Sequence, residues 1–547
     1  MADKATVTVN EGKVKGIKKV SNFSGVEYYS FLGIPYGQPP IGNLRFKDPV
    51  KAKPWKNILE ATTERDGCRQ FSLFKRRMAG SEDCLYNNIH TPSLPSNDEP
   101  LKPVIVTLHP GGFVFGNPDP SFFGSPDYVM HNDVVFVGVS FRLHILGFLN
   151  LGLKDCSGNQ GLKDIILSLE WIKENIHVFG GDPNNVTVLG SSSGSALTHI
   201  LMLSPRAKGL FHKTVLMGTS VFNPTLITQC ENAGTALEVA RAVGYEGTAD
   251  KSERRKLLSF YKNMPIDAAI VFNAKAFMNN AKNVVSLFPI SPFHPTLDLE
   301  SENSILPYSF ETLMKSSTGV PFIIGFCDKE AAMAFTKPLK ERAAKNFYTI
   351  IRQNHWGWGR DLSDDQIKEI QTKIENYYLD GKPVDNFPVS TKCNILSDIA
   401  LSDVYDTLIN PTSLNPSLSA YVYRFEFEGS IITMKEGVLE IMDQPIDGTV
   451  HGCDYSYWCM MKDHHGKHEY VLTQKTREIL EKFTKLICTF ARTGDPNYHG
   501  LEVQWNPSTV ENPCYLSIKE ELKIVDGKLN GERMEFWETQ KKLYRAD

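Results

Sequence analysis

The chain has 547 residues, 41% of them hydrophobic, which is a globular composition with ample length for a core. A formal charge of -4 with no block of like charge argues against a nucleic-acid partner. No run approaches the roughly 18 apolar residues of a membrane span, and the N-terminal MADKATVTVNEGKVKG has no apolar h-region, so a cytoplasmic address is expected.

The elements follow in chain order. Residues 5 to 36 alternate in short β-like pieces split by Gly and Asn, which predicts an antiparallel hairpin set at a sheet edge. Residues 37 to 100 read as loop-rich, with turns at Gln38–Gly42 and Pro92–Pro95. PVIVTL at 103–108 and VVFVGVSF at 134–141 are nearly all apolar, as strands covered on both faces are. Helical spacing follows over 161–178, with Leu162, Ile165, Ile166, Leu169 and Ile172 on one face. Strands are expected at 186–189, 214–218, 320–326 and 420–427, and a long helix over 473–493. The tail from 500 reads as strand, then polar helix. Strand and helix alternate, so the fold class is α/β. Most of 221–320 shows helical but irregular character, and 338–380 turns helical again. With no Pro/Ser-rich linker, the chain reads as one domain over 1–547, with a helical subdomain at roughly 221–320 and 335–415.

The ten cysteines form no C-x-x-C and no zinc-like spacing with histidine, so most are expected as free, small apolar residues. His464, His465 and His468 lie in DHHGKHE, a polar stretch that reads as a solvated loop rather than a metal site. Neither metal nor cofactor is expected.

The chemistry centres on VTVLGSSSGSALTHILM at 186–202. Alternating Val186, Thr187 and Val188 give a strand, and Ala196, Leu197, Ile200 and Leu201 give a helix. Between them Gly190-Ser191-Ser192-Ser193-Gly194 is a G-x-S-x-G. Its glycines let strand and helix approach across a sharp turn that projects the central hydroxyl. Only Ser192 has glycine on both sides at a distance of two. A serine nucleophile needs a base, an acid to orient that base, and donors for an oxyanion. Upstream, His109-Pro110-Gly111-Gly112-Phe113 follows the strand at 103–108 and can turn backbone N–H groups toward one point. Downstream, Asp328 and Glu330 both stand just past a strand end, and spacing does not choose between them. Of the six histidines beyond Glu330, His451 stands in a glycine-flanked loop, DGTVHGCD.

Several longer stretches carry a resemblance: FLGIPYGQPPIGNLRF at 31–46, GSEDCLYNNI at 80–89, FRLHILGFL at 141–149 and GNQGLKD at 158–164. FGGDPNNVTVLGSSSG at 179–194, HGCDYSY at 451–457 and FARTGDPN at 490–497 continue it. In these the chain resembles the carboxylesterase/cholinesterase family, type-B esterases of the α/β-hydrolase fold, and most of all the intracellular insect α-esterases. The resemblance implies a central, mostly parallel mixed sheet flanked by helices, with helical insertions around an active-site gorge. It places the acid five residues after Gly325, at Glu330, the base at His451, and the oxyanion donors at the N–H groups of Gly111, Gly112 and Ser193. It implies structural ion pairs Arg45–Glu82 and Arg142–Asp164, and a possible disulfide between Cys68 and Cys84, which a reducing compartment would oppose. Small-molecule esters are the implied partners, and the protein is expected as a monomer or weak homodimer.

The chain departs from the family pattern in three places. Ser191 and Ser193 flank the nucleophile where the family has Glu and Ala. Pro110 opens the glycine loop, and Ala331 follows Glu330 where glycine is common. The expected activity is serine carboxylic ester hydrolysis through an acyl-enzyme on uncharged esters, whether xenobiotic, lipid or signalling. The alternative is a low-turnover protein that sequesters esters or organophosphates on the same fold.

Overall fold

The fold is described from a computed structural model, which covers residues 4–72, 77–119, 123–220, 231–279, 291–299, 301–317, 319–335, 363–384, 387–399, 401, 418–431, 435, 446–460 and 472–544. One sheet organises it. Its strands are β1 (Lys4–Val9), β2 (Gly12–Val20), β3 (Glu27–Pro35), β4 (Tyr86–Thr91), β5 (Lys102–Leu108) and β6 (Val135–Val139). The second half adds β7 (Gly181–Ser191), β8 (Lys213–Met217), β9 (Phe322–Cys327), β10 (Ala420–Phe425), β11 (Cys514–Ile518) and β12 (Leu522–Asp526). Their order across the sheet is β1-β2-β3-β4-β6-β5-β7-β8-β9-β10-β11-β12, with a short strand Leu59–Glu60 beside β2. The run from β6 through β11 is parallel, and the two margins are antiparallel.

The central strands read as continuous apolar runs because both faces are covered. Val104, Ile105, Val106, Val188, Leu189, Val215, Ile323, Ile324 and Val422 are fully buried. Helix α1 (Gln160–Asn175) and helix α2 (Ser193–Leu203) cross the sheet and are almost wholly buried. This is the α/β-hydrolase architecture.

Strand β4 lies inside the segment that reads as loop. Its sequence, YNNIHT, lacks apolar alternation, yet Asn87, Asn88, His90 and Thr91 are buried. Each of the first three is matched to a specific partner: Asn87 to the Ser168 hydroxyl, Asn88 to Gly33 N–H and Pro118 O, and His90 to the Ser30 hydroxyl. Asn87 Nδ2 and His90 Nε2 have no partner among the described residues, so these pairings offset part of the burial cost, and hydrophobic periodicity cannot see them.

After β8 come helices α3 (Ala233–Ala242), α4 (Arg254–Asn263), α5 (Asp267–Asn279) and α6 (Phe310–Ser316); α7 (Asp364–Leu379) follows β9. Residues 221–230, 280–290, 336–362 and 402–417, on which much of the expected subdomain falls, lie outside the described residues, as do His355, His464, His465 and His468. The last helices are α8 (Cys453–Trp458), α9 (Gln474–Thr493) and α10 (Glu532–Tyr544).

Two ion pairs, one half-buried and one buried, tie the loops to this frame. Arg45 holds both Glu82 oxygens at 2.6 Å and donates to the carbonyls of Tyr261, Lys262 and Met264 at the end of α4. Arg142 grips Asp164 of α1 with its side chain at 2.6 and 2.8 Å and its N–H at 3.0 Å. Cys68 and Cys84, the pair of the possible disulfide, are both buried and stand here as free thiols. The neighbouring Cys68 thiol, ahead of burial, pushes the Cys84 thiol well above its ordinary value. The Cys68 sulfur also accepts the Leu143 N–H at 3.3 Å.

Candidate active site

Strand β7 runs between β5 and β8, with Gly190 opposite Leu108 and Ser191 opposite Met217. The chain turns at once into α2. Ser192 sits at the turn with φ 54 and ψ -125, a left-handed conformation that costs a non-glycine residue on the order of 1–3 kcal/mol. The strain is held in place because Ser192 N–H donates to Met217 O at 2.9 Å and Ser192 O accepts from Ala196. A β-carbon on Gly194 would lie 2.3 Å from Leu108 O, so only glycine lets the helix start this close to the sheet. Of the three serines, Ser191 and Ser193 are buried and Ser192 is the half-buried one.

His451 arrives on a loop stitched to the end of β9. Lys329 pairs with Val450, Lys329 N–H donates to Thr449 O at 2.8 Å, and Asp328 N–H donates to the Thr449 hydroxyl oxygen at 3.1 Å. The imidazole Nε2 then lies 2.8 Å from Ser192 Oγ and Nδ1 lies 2.5 Å from Glu330 Oε2. Glu330 is fully buried, and its other oxygen accepts Cys327 N–H at 2.6 Å. Geometry thus separates the two acids that spacing left open: Asp328 is turned away onto Arg424 and Lys329. Burial opposes a charged His451, but Glu330, and less strongly Asp454, outweigh it and hold the imidazole above its ordinary value.

The glycine loop completes the site. It leaves β5 at Leu108, beside the β7 turn. Gly111 has φ 136, and a β-carbon there would fall 1.8 Å from Phe115 O. The carbonyls of Pro110, Gly111, Gly112 and Phe113 are all engaged. Pro110 O accepts from His109 Nδ1 at 2.9 Å, and Gly111 O from the N–H groups of Val114 and Phe115. Gly112 O accepts from Ser291 N–H at 3.2 Å and Phe113 O from His144 N–H at 2.7 Å. Among the described residues, the N–H groups of Gly111, Gly112 and Ser193 donate to no protein acceptor. His109 is neutral: burial pulls it down to about 4 against the Pro110 carbonyl, and it stacks on Phe141 at 4.6 Å.

Three neighbours of the site carried no sequence signal of their own. Gly218, just past β8, has φ 80 and faces the His451 ring. Tyr423 donates from its hydroxyl to the buried Asp454 at 2.6 Å, and burial together with Glu330 raises that carboxyl to about 6. Ser291 reaches the glycine loop from a segment without clear periodicity. Among the described residues no group of three or more His, Cys, Asp or Glu is arranged to hold a metal ion, and no helix is long and apolar enough to cross a membrane.

The geometry fits proton transfer from a hydroxyl to an imidazole that a carboxylate orients, with free amides alongside. Comparison with known proteins agrees with it. The model of the Carboxylesterase family matches residues 3–537. Esterase E4 of Myzus persicae is 28% identical over 519 residues, covering 92% of this chain and 88% of that one. A juvenile hormone esterase of Heliothis virescens is 30% identical over 468 residues, covering 82% and 78%. Among solved structures, the juvenile hormone esterase from Manduca sexta, with OTFP covalently attached, superposes with a TM-score of 0.83 at 25% identity over 100% of both chains. With the match running through nearly every element that builds the site, the chain belongs to the carboxylesterase family and is a carboxylic ester hydrolase.

Proposed function

We propose that the chain hydrolyses uncharged carboxylic esters through an acyl-enzyme on Ser192. The observation that carries this is the unbroken hydrogen-bond chain from Glu330 through His451 to Ser192 Oγ. Ser192 Oγ attacks the ester carbonyl as its proton passes to His451 Nε2. Glu330 orients the ring and stabilises the imidazolium. The Gly111, Gly112 and Ser193 amides receive the oxyanion, the alkoxide leaves with the proton from His451, and water repeats the sequence to free the acid. The neutral Ser191 beside the nucleophile supports an uncharged ester over a cationic one. Relatives named as juvenile hormone esterases support a lipid-like or signalling ester as one candidate class, with xenobiotic esters the other.

Titration with diethyl p-nitrophenyl phosphate tests the mechanism. Intact mass should show one adduct per chain, on Ser192, with esterase activity lost in proportion. An adduct elsewhere, or persisting activity after full labelling, overturns it. A series of p-nitrophenyl esters of rising acyl length then defines the substrate class.

The same nucleophile supports a second reading, a low-turnover protein that sequesters esters or organophosphates. It is favoured by Ser191, a buried neutral residue where the family carries a glutamate that can assist deacylation. A stoichiometric burst of p-nitrophenol followed by a stall marks sequestration, whereas continued linear release marks an esterase.

A further inference from the structure

Glycine is the residue least able to hold its own backbone conformation, and the proposed oxyanion site uses two in succession. Gly112 has φ 61, so its donor geometry depends on what fixes the peptide planes on either side. The plane before it, which carries the Gly112 N–H, is fixed within the loop, since Gly111 O accepts from Val114 and Phe115. The plane after it is fixed from outside, by Ser291 N–H on Gly112 O at 3.2 Å.

Ser291 is itself immobilised at every polar atom. Its carbonyl accepts from His294 Nδ1 at 2.8 Å, and its hydroxyl oxygen accepts Phe293 N–H at 3.0 Å. That hydroxyl also lies 3.3 Å from both Oδ1 and Nδ2 of Asn273. Asn273 is fully buried in α5, and Ser291 is 1% exposed. One residue further along α5, Ala274 forms a small apolar cluster with Val114, bordered by Phe71 and Phe115. Helix α5 therefore touches the glycine loop twice: by apolar contact at Val114, and through Asn273 and Ser291 to Gly112. A fully buried asparagine is costly unless its hydrogen bonds are made. Here they go to the residue that anchors Gly112.

We infer that Asn273 is a positioning residue for ester hydrolysis: through Ser291 it fixes the peptide plane after Gly112, which together with the loop's hold on the plane before it keeps the Gly112 N–H aligned for the oxyanion. The inference rests on the assignment of Gly111 and Gly112 as oxyanion donors. A locked donor acts on the transition state and not on the bound ester, so its loss should lower kcat and spare KM.

The test uses the full chain with p-nitrophenyl acetate and, as a mimic of the tetrahedral adduct, a trifluoromethyl ketone. Loss of a whole oxyanion donor costs about 10²–10³ in kcat. Loosening one should cost less, and Asn273→Ala is expected to lower kcat about tenfold with KM within about twofold. Affinity for the ketone should fall by the same factor as kcat. Ser291→Ala, which keeps the backbone N–H but loses the hydroxyl, should lose a similar amount, and the double variant no more than the larger single loss. Asn273→Asp, which keeps an acceptor for Ser291 in the same shape, should recover part of the loss. If a folded Asn273→Ala keeps its kcat, or loses kcat with unchanged ketone affinity, the inference is overturned. If Asn273→Ala does not fold, Ser291→Ala decides by the same two readouts. Failure of the underlying assignment looks different: wild-type protein would then hydrolyse no ester, or Gly112→Asp would be fully active.

Discussion

The His451 imidazole rests in space that Gly218 leaves open: a β-carbon there would lie 2.9 Å from Cε1 and 3.0 Å from Nδ1. The same β-carbon would stand 3.7 Å from Glu330 Oε2. Gly218 also has φ 80 and donates its N–H to Gly325 O at 2.8 Å, so its backbone cannot move aside freely. Gly218→Ala should tilt the ring off the line between Ser192 and Glu330. A misplacement of this kind costs on the order of 10²-fold in kcat. The left-handed backbone adds a stability loss of about 1 kcal/mol. Steady-state kinetics and a urea melt check both, and an unchanged kcat in the folded variant would show that the ring is not confined there.

Burial separates the three adjacent serines. Ser191 and Ser193 are 1% and 5% exposed, while Ser192 is the strained residue that faces His451. Ser192→Ala should lower kcat by roughly 10⁵–10⁶. Ser191→Ala and Ser193→Ala should stay within about tenfold, since a donor at 193 is a backbone amide that alanine keeps. Equal loss at Ser193 would put the nucleophile in the wrong place.

The pH profile follows from the carboxylates around His451. The base works only when neutral, so kcat/KM should fall as pH drops through its pKa, which lies above the ordinary 6.5 because Glu330 and Asp454 outweigh burial. Glu330→Gln should move that acid limb to lower pH and lower the plateau by roughly 10⁴. Asp454→Asn should move the limb in the same direction with the plateau largely kept, because Asp454 contacts Tyr423 and Tyr455 N–H rather than the imidazole. Stability carries a second sign. The folded state raises Asp454 from 3.8 to about 6, so it binds the proton more tightly than the unfolded chain, and its contribution to wild-type stability falls as pH rises across that window. The variant lacks this loss, and its stability relative to wild type should rise from pH 4 to pH 6 and then level off. A profile with no displaced limb in either variant would remove both carboxylates from the account.

How much of this was readable in the sequence depends on what kind of force places each residue. Strands such as Val135–Val139 and Phe322–Cys327 announce themselves because both faces are buried and every position is apolar. The turn at Ser192 is visible because glycine is the only residue that permits the close approach. Strand β4 was invisible because its burial is offset in part by specific partners such as Ser168 and Ser30, which lie far away in sequence. The choice between Asp328 and Glu330 was closed to spacing for a similar reason. It turns on Arg424, which claims Asp328 from the neighbouring strand. Gly218, Asn273 and Ser291 have no local pattern at all, since their roles exist only once β8, α5 and the glycine loop have met.

The thiols of Cys68 and Cys84 give a chemical check on the fold. Both are buried and free, and the neighbouring Cys68 thiol, ahead of burial, raises the Cys84 thiol well above its ordinary value and favours its protonated form. Iodoacetamide should leave both untouched in native protein and alkylate both after denaturation without reductant. Peptide mapping that finds them joined under those conditions would contradict the free-thiol arrangement.

Proline at the head of the glycine loop gives the sharpest test of where the oxyanion donors lie. Proline has no N–H, so Pro110 cannot be one of them. Its carbonyl is already held by His109 Nδ1 at 2.9 Å, and His109 is buried, neutral and stacked on Phe141. The peptide that carries the Gly111 N–H is therefore fixed by the histidine, whatever residue stands at 110. Pro110→Gly should change kcat/KM for a p-nitrophenyl ester by less than about tenfold, the scale of 1.4 kcal/mol. Gly111→Ala is the contrasting case. Its β-carbon would fall 1.8 Å from Phe115 O, so the loop must open and carry the amides out of line. That should cost about 10²–10³ in kcat, the loss of a full donor. Measured side by side on one ester, a large gain from Pro110→Gly would show that the natural hole lacks a donor at its first position. That result would move the protein toward the low-turnover, sequestering reading.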